Sequence, residues 1–258
     1  MNRATTSSRA EQRHKTQQQL FTLDEAVFTH ETSSDWPHCV FAPLHYEPNY
    51  AYPLLVWLHG PKDDERQLLR IMPSISVRNY VAVAPRGLVM GEEEQESTSG
   101  FRASDLTWPQ TRDGWQAAES AVLDCVSTVS RKFHISPTRI FLAGFGTGGT
   151  MAFRIALNQP NRFAGSISLG GPLPEGDAPL RQFMDARNLS VFLGIGKHSP
   201  FYSESQACDN LSLLHAAGFQ VTLRLYPCGQ EVTPQMLRDL DRWIIEEISA
   251  SADIAKSL

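Results

Sequence analysis

Residues 139–157, RIFLAGFGTGGTMAFRIAL, constrain this chain more than any other segment. An apolar run of strand character, Arg139–Gly144, enters a glycine-rich turn and leaves it at once as a helical run. A backbone bends that sharply only where Cβ atoms are missing, and the same glycines let a helix pack close to the strand before it. A strand feeding a helix in this way is half of a crossover unit, so the segment predicts a parallel α/β sheet.

The rest of the chain repeats the signal. Tyr52–His59, Tyr80–Pro85, Phe163–Leu169, Ser190–Gly194 and Gln220–Tyr226 are short runs, apolar enough for strands covered on both faces. Ala26–Thr29 and His38–Ala42 read as a hairpin at one edge. Between them, Trp115, Ala118, Val122, Val126, Val129 and Phe133 recur at helical steps, with Asp113 as the expected cap. A further helix is expected over Thr150–Asn158. Ser203 with Gln206 three residues on forms a capping box, and Gly218 closes that helix. Thr233 followed by Pro234 opens the last one. The prediction is one α/β domain over residues 21–258: a doubly wound, mostly parallel sheet with helices on both faces. Residues 1–20 are expected to form a disordered tail.

Charge and cysteine usage narrow the function classes. The net charge of −5 divides into +3 over the first twenty residues and −8 over the remainder. A body that acidic repels a phosphate backbone, so a nucleic-acid partner is not expected. No run of eighteen apolar residues predicts a membrane span. The four cysteines are far apart and include no C-x-x-C pair, and the eight histidines show no ligand spacing, so neither a metal nor a cofactor is expected. Cys125 and Cys208 are expected to be reduced and half-buried. With no secretory signal in the first residues, the expected location is the cytoplasm. Gly87–Trp115 is a long polar stretch carrying Glu92, Glu93, Glu94 and Glu96, expected to be a lid or a disordered loop.

A strand–glycine turn–helix junction is also the setting of the nucleophile elbow, G-x-S-x-G. Here the pattern is G-F-G-T-G, and Gly146 stands where the serine belongs. Four other segments carry the same resemblance: PLLVWLHG (53–60), VAPRG (83–87), VFLGIGKHSP (191–200) and YPCGQEVTPQML (226–237). In order and spacing, residues 37–248 resemble the phospholipase/carboxylesterase branch of the α/β-hydrolases, which includes the acyl-protein thioesterases. The resemblance implies an α/β-hydrolase fold and a nucleophile, acid and base in chain order. Those positions fall on Gly146, Ser199 and Gln230. Gly146 has no side chain to attack a carbonyl, Ser199 has no charge to hold an imidazolium, and Gln230 exchanges no proton near neutral pH. The two oxyanion-hole positions fall on Pro61, which has no N–H to donate, and on Thr147. Lys62 is the alternative to Pro61.

The expectation is therefore a non-hydrolytic pseudoenzyme that binds a small molecule or a protein partner in the inherited cleft. Its lining is expected to include His59, Gly60, Trp108 and Gly148 beside the positions already named. The first alternative is a weak carboxylester or thioester hydrolase with another nucleophile. Thr147 and Thr150 adjoin the turn and His198 precedes Ser199, but no base is identified for either threonine. The second alternative is a dinucleotide site, because Gly144, Gly146 and Gly149 spell G-x-G-x-x-G. No acidic residue ends the following strand near residue 168, where a ribose partner belongs.

Overall fold

The computed structural model describes residues 19–23, 26–31, 36–89, 106–176 and 183–257. In chain order the elements begin with strands β1 (Gln19–Leu23), β2 (Ala26–Glu31), β3 (His38–Ala42) and β4 (Tyr52–Leu58). Helix α1 (Gln67–Ile75), β5 (Val81–Pro85), β6 (Leu88–Val89), β7 (Leu106–Thr107) and α2 (Arg112–Lys132) follow. Next are β8 (Ile135–Phe145), α3 (Thr147–Asn158), β9 (Gly165–Leu169) and the short α4 (Phe183–Ala186). The chain closes with β10 (Ser190–Gly196), α5 (Glu204–Ala216), β11 (Gln220–Tyr226) and α6 (Pro234–Ser257).

Nine strands form one sheet in the order β1-β2-β3-β5-β4-β8-β9-β10-β11. The β5-to-β11 portion is parallel, and β1–β3 add an antiparallel edge. The alternation of side chains along a strand explains both layers. On β4, Leu54, Val56 and Leu58 join Ala118, Val122 and Val129 of α2 and Met151 and Ile155 of α3. Leu55 and Trp57, pointing the other way, join Leu68 and Met72 of α1 and Leu240 and Trp243 of α6. This is a single α/β-hydrolase-type domain.

Several local details differ from the sequence expectations. Strand β1 includes Gln19 and Leu20, which pair with His30 and Thr29, so residues 19 and 20 of the segment expected to be a tail belong to the sheet. Thr111, not Asp113, caps α2: its side chain accepts the Gly114 N–H at 3.3 Å, and Asp113 sits in the first turn. Helix α3 starts at Thr147 rather than Thr150. The capping box of Ser203 and Gln206 and the Thr233 cap both form. Cys125 is buried outright and Cys208 is exposed, because they lie on opposite sides of their helices' packing faces. The cluster Glu92–Glu96 lies outside the described residues, between β6 and β7.

Candidate functional site: a cleft at the strand ends

Parallel strands deliver their carboxyl ends to one edge of the sheet, and in open α/β sheets that edge is where ligands bind. Strand β8 ends at Phe145 and passes into Gly146, whose φ of +55° and ψ of −122° form a strained conformation that residues with a side chain rarely adopt. The turn is held there by two backbone bonds. Gly146 N–H donates to Leu169 O at 2.8 Å, and Gly146 O accepts from Thr150 N–H at 3.1 Å. Gly148 serves a different need: a Cβ there would stand 2.4 Å from the carbonyl oxygens of Leu58 and His59. Of the glycines that spell a dinucleotide-like turn, Gly144 and Gly149 are set by the same strand-to-helix packing: a Cβ would stand 2.4 Å from Gly148 O at the first and 2.6 Å from Ser168 Oγ at the second.

Strands β10 and β11 bring the other two positions to the same point. Ser199 Oγ donates to Gln230 Oε1 at 2.6 Å and itself accepts the N–H groups of Phe201 and Tyr202, each at 3.2 Å. Gln230 Nε2 donates to Gly170 O at 2.9 Å. A Cβ built on Gly146 would lie 3.5 Å from Gln230 Nε2 and 3.0 Å from Pro61 Cδ. The structure therefore gathers Gly146, Ser199 and Gln230 into one cluster with the Pro61 ring against it.

Around them is a cleft of about 780 Å³. Phe145, Pro172, Leu173 and Phe201 supply most of its apolar wall, and Lys62, Gln110, Thr147, Thr150 and Glu175 its polar groups. His59, Gly60, Trp108 and Gly148, expected in the lining, are not among its lining residues. Trp108 is 1% exposed, and its indole N–H donates 3.0 Å to His59 O. The ring is drawn into the core because its apolar body gains burial while its one donor finds a backbone acceptor. Ser199 is likewise not a lining residue and reaches the cleft through Gln230.

The neighbouring loop is organised by side chains with no sequence signature. His59 is fully buried. Gly87 N–H donates to its Nε2 at 2.9 Å, which makes Nδ1 the protonated nitrogen, donating to Gly60 O at 2.9 Å. Burial pushes its pKa below the usual histidine value, so it is a neutral brace. Gln67 Oε1 accepts from both Trp57 Nε1 (2.7 Å) and Gly60 N–H (3.2 Å). The Gly60 donor is thereby engaged, Pro61 has none, and Lys62 follows with φ +62°. Glu65, fully buried, receives two hydrogen bonds from the Arg86 guanidinium, at 2.9 and 2.5 Å, locking the loops after β4 and β5 together.

The rival nucleophiles fare poorly. Thr150 Oγ1 is engaged in donating to Pro172 O at 2.9 Å. Thr147 Oγ1 is buried with no hydrogen-bond partner, and no histidine lines the cleft among the described residues. His198 is exposed and is not among the residues lining the cleft. Burial pushes the Cys39 and Cys125 thiols up to about 12, and Cys228 upward as well, so no activated thiolate is present among them. The described residues contain no cluster of metal-holding side chains, and none of their helices is long and apolar enough to cross a membrane.

The sequence profile of the Esterase family, described as "Putative esterase", matches residues 29–222, about three quarters of the chain. The chain belongs to this esterase family. A curated relative, "Putative esterase NocK" of Nocardia uniformis subsp. tsuyamanensis, is 33% identical over 158 residues. That match spans 52% of this chain and 45% of the relative's length. Among solved structures, the esterase-family chain is similar to acyl-protein thioesterase 2 of Zea mays (TM-score 0.66, 17% identity, covering 81% of this chain and 98% of that one). It is also similar to a carboxylesterase of Bacillus cereus (0.63, 14%, 83% and 96%). An S-formylglutathione hydrolase of Agrobacterium tumefaciens is a third (0.65, 14%, 89% and 98%). At these identities the likeness concerns the fold.

Proposed function

We propose that this chain is a non-hydrolytic member of the esterase family that binds a small molecule in the cleft where its relatives cleave esters or thioesters. One observation carries the reading. Where the family pattern calls for a serine, an acid and a histidine, the chain has Gly146 and the closed pair Ser199–Gln230, with the amide anchored on Gly170 O. Ser199 carries the one hydroxyl of that set, and its neighbour Gln230 is an amide that takes up no proton near neutral pH, so the set holds no nucleophile–base pair. Losing a triad member costs about 10⁴- to 10⁶-fold in turnover, and losses within a triad are not additive, so one is enough. A cleft of about 780 Å³ is in the size range of small-molecule sites, which favours that class of ligand over a protein partner. The four free cysteines fit a reducing cytoplasm.

The test is direct. A fluorophosphonate probe is expected to leave the protein unlabelled, and p-nitrophenyl acetate and butyrate to hydrolyse at the buffer rate. Labelling within the cleft, or ester turnover that co-purifies with the protein and disappears in a cleft variant, overturns the proposal in favour of a hydrolase with an unorthodox nucleophile.

A further inference from the structure

A second concavity lies outside the strand-end cleft, between helices α3 and α5 on one side of the sheet. Helix α5 is thirteen residues long, yet only Ala207 and Leu214 of it are buried. Its incomplete packing leaves a groove of about 290 Å³. Phe153 and Leu157 of α3 form one side, Leu213, Leu214 and Ala217 the other, and the Pro172–Glu175 segment a third. That segment also borders the cleft, so it is a wall between two cavities. The wall is anchored from α3. Thr150 Oγ1 donates to Pro172 O at 2.9 Å, and the buried Arg154 guanidinium donates to Glu175 O.

The groove changes character along α5. Gln206, Asp209 and Asn210 line its first part, and Leu213, Leu214 and Ala217 its second, at the three- and four-residue steps of one helix stripe. From Asp209 to Ala217 the helix rises about 12 Å. Leu213, on the lip, is 55% exposed. In the polar part, Gln206 is committed to the capping box with Ser203. Asn210 Nδ2 donates to the Tyr202 hydroxyl at 2.9 Å, which leaves its amide oxygen to accept. Asp209 and Glu175, on opposite walls, are the charged groups of the described lining, and neither enters an ion pair among the described residues. Arg154, bonded to the wall from the inside, is not among the lining residues.

We propose that this groove is a second binding site, distinct from the cleft, for a small amphipathic amine in its ammonium form. An ammonium has donors and no acceptor, and the polar part of the groove offers two carboxylates and an amide oxygen, which only accept. The apolar body runs along Leu157, Leu213 and Leu214 towards Ala217 and covers the exposed leucine. A volume of about 290 Å³ is at the lower end for small-molecule sites, so the occupant is compact. Both carboxylates repel an anion, and a neutral alcohol of the same length lacks the charge-assisted bonds. The site goes beyond the proposed function and does not depend on whether the cleft hydrolyses esters.

Isothermal calorimetry on the full chain with octylammonium, octan-1-ol and octanoate, at matched ionic strength and below their aggregation limits, tests the proposal. Octylammonium is expected to bind about 10-fold more tightly than octan-1-ol. Asp209→Asn and Glu175→Gln are each expected to weaken octylammonium about 3-fold, the scale of an ion pair at an exposed rim, and to leave octan-1-ol unchanged. Leu213→Asn is expected to weaken both ligands by about 3-fold through lost apolar contact. All three side chains are exposed, so the variants are expected to fold. Octanoate is expected not to displace octylammonium. Equal or tighter binding of octan-1-ol overturns the proposal, as does the absence of saturable octylammonium binding. Because Glu175 borders both cavities, a loss in Glu175→Gln with none in Asp209→Asn and Leu213→Asn places the amine in the cleft and also overturns it. An equal loss in Glu246→Gln, on the exposed face of α6, shows only general attraction to an acidic surface and refutes the site.

Discussion

Gly146→Ala isolates the geometry on which the site reading depends. The substitution adds one Cβ at a residue held at φ +55° and ψ −122°. Holding a side-chain-bearing residue in such a region costs about 1–3 kcal/mol. The new atom also meets Pro61 Cδ at 3.0 Å, a distance at which the ring must retreat by a few tenths of an ångström. A mild overpacking of this kind adds about 1 kcal/mol. The sum, about 2–4 kcal/mol, corresponds to a fall in Tm of roughly 5–10 °C for a domain of this size. Chemical denaturation and calorimetry of Gly146→Ala, Pro61→Ala and the double variant separate the two contributions. Backbone strain persists in the double variant, and the contact does not, so a coupling of about 0.5–1 kcal/mol is expected. A Gly146→Ala protein within about 0.5 kcal/mol of wild type refutes the reasoning, since position 146 would then relax freely and its elbow geometry would not be enforced by the fold.

Other outcomes follow from the same structure. Gly146→Ser alone is expected to remain inactive towards p-nitrophenyl esters, because the Gln230 amide accepts no proton from the new hydroxyl. The triple variant Gly146→Ser, Ser199→Asp and Gln230→His supplies all three groups and is expected to gain turnover above Gly146→Ser, read on the same esters and by fluorophosphonate labelling. Arg86→Met removes two charge-assisted hydrogen bonds from the buried Glu65 carboxylate, and an equilibrium unfolding loss of about 2–4 kcal/mol is expected after discounting for the guanidinium's partial exposure. His59 is held neutral in the native state, with its pKa lowered by burial, whereas the unfolded chain takes up a proton near the ordinary value of about 6.5. Its stabilisation is therefore full above that pH and is lost as pH falls below it, by at most about 1.4 kcal/mol per unit. Urea midpoints between pH 7.5 and 5.5 are expected to decline less steeply in His59→Asn than in wild type.

The legible part of the site was its place in the fold. Motif order puts Gly146, Ser199 and Gln230 after the carboxyl ends of three strands of a parallel sheet, and such ends share one edge, where the structure gathers them. The illegible part was the wall. Trp108 sits in a loop whose composition suggests exposure, yet its indole finds His59 O and it leaves the cleft for the core. Phe201, 73% exposed, takes a place in the lining that no periodicity marks. Gln67 and Glu65 look like ordinary polar residues before a helix, and only the approach of Gly60 and Arg86 gives them work. The early start of α3 is hidden from the sequence for a related reason: glycines and threonines have low helix propensity, and packing against β4 overrides it.

The sequence by itself determined the alternation of doubly covered strands with amphipathic helices and the sharp glycine turn, and it puts glycine, serine and glutamine at the three positions proposed to correspond to nucleophile, acid and base. Those follow from local properties: apolar period, the missing Cβ, and the proton chemistry of each side chain. Tertiary structure alone decided that Ser199 turns the Gln230 amide so that its nitrogen meets Gly170 O, that Pro61 crowds the Gly146 position, and that the Gly60 donor is already taken. Each of these joins groups separated by 31, 60 and 7 residues or more along the chain or depends on a ring's final position. Hydrogen-bond direction and steric contact exist only between groups that the fold has brought within a few ångströms, which is why no reading of the chain in one dimension contains them.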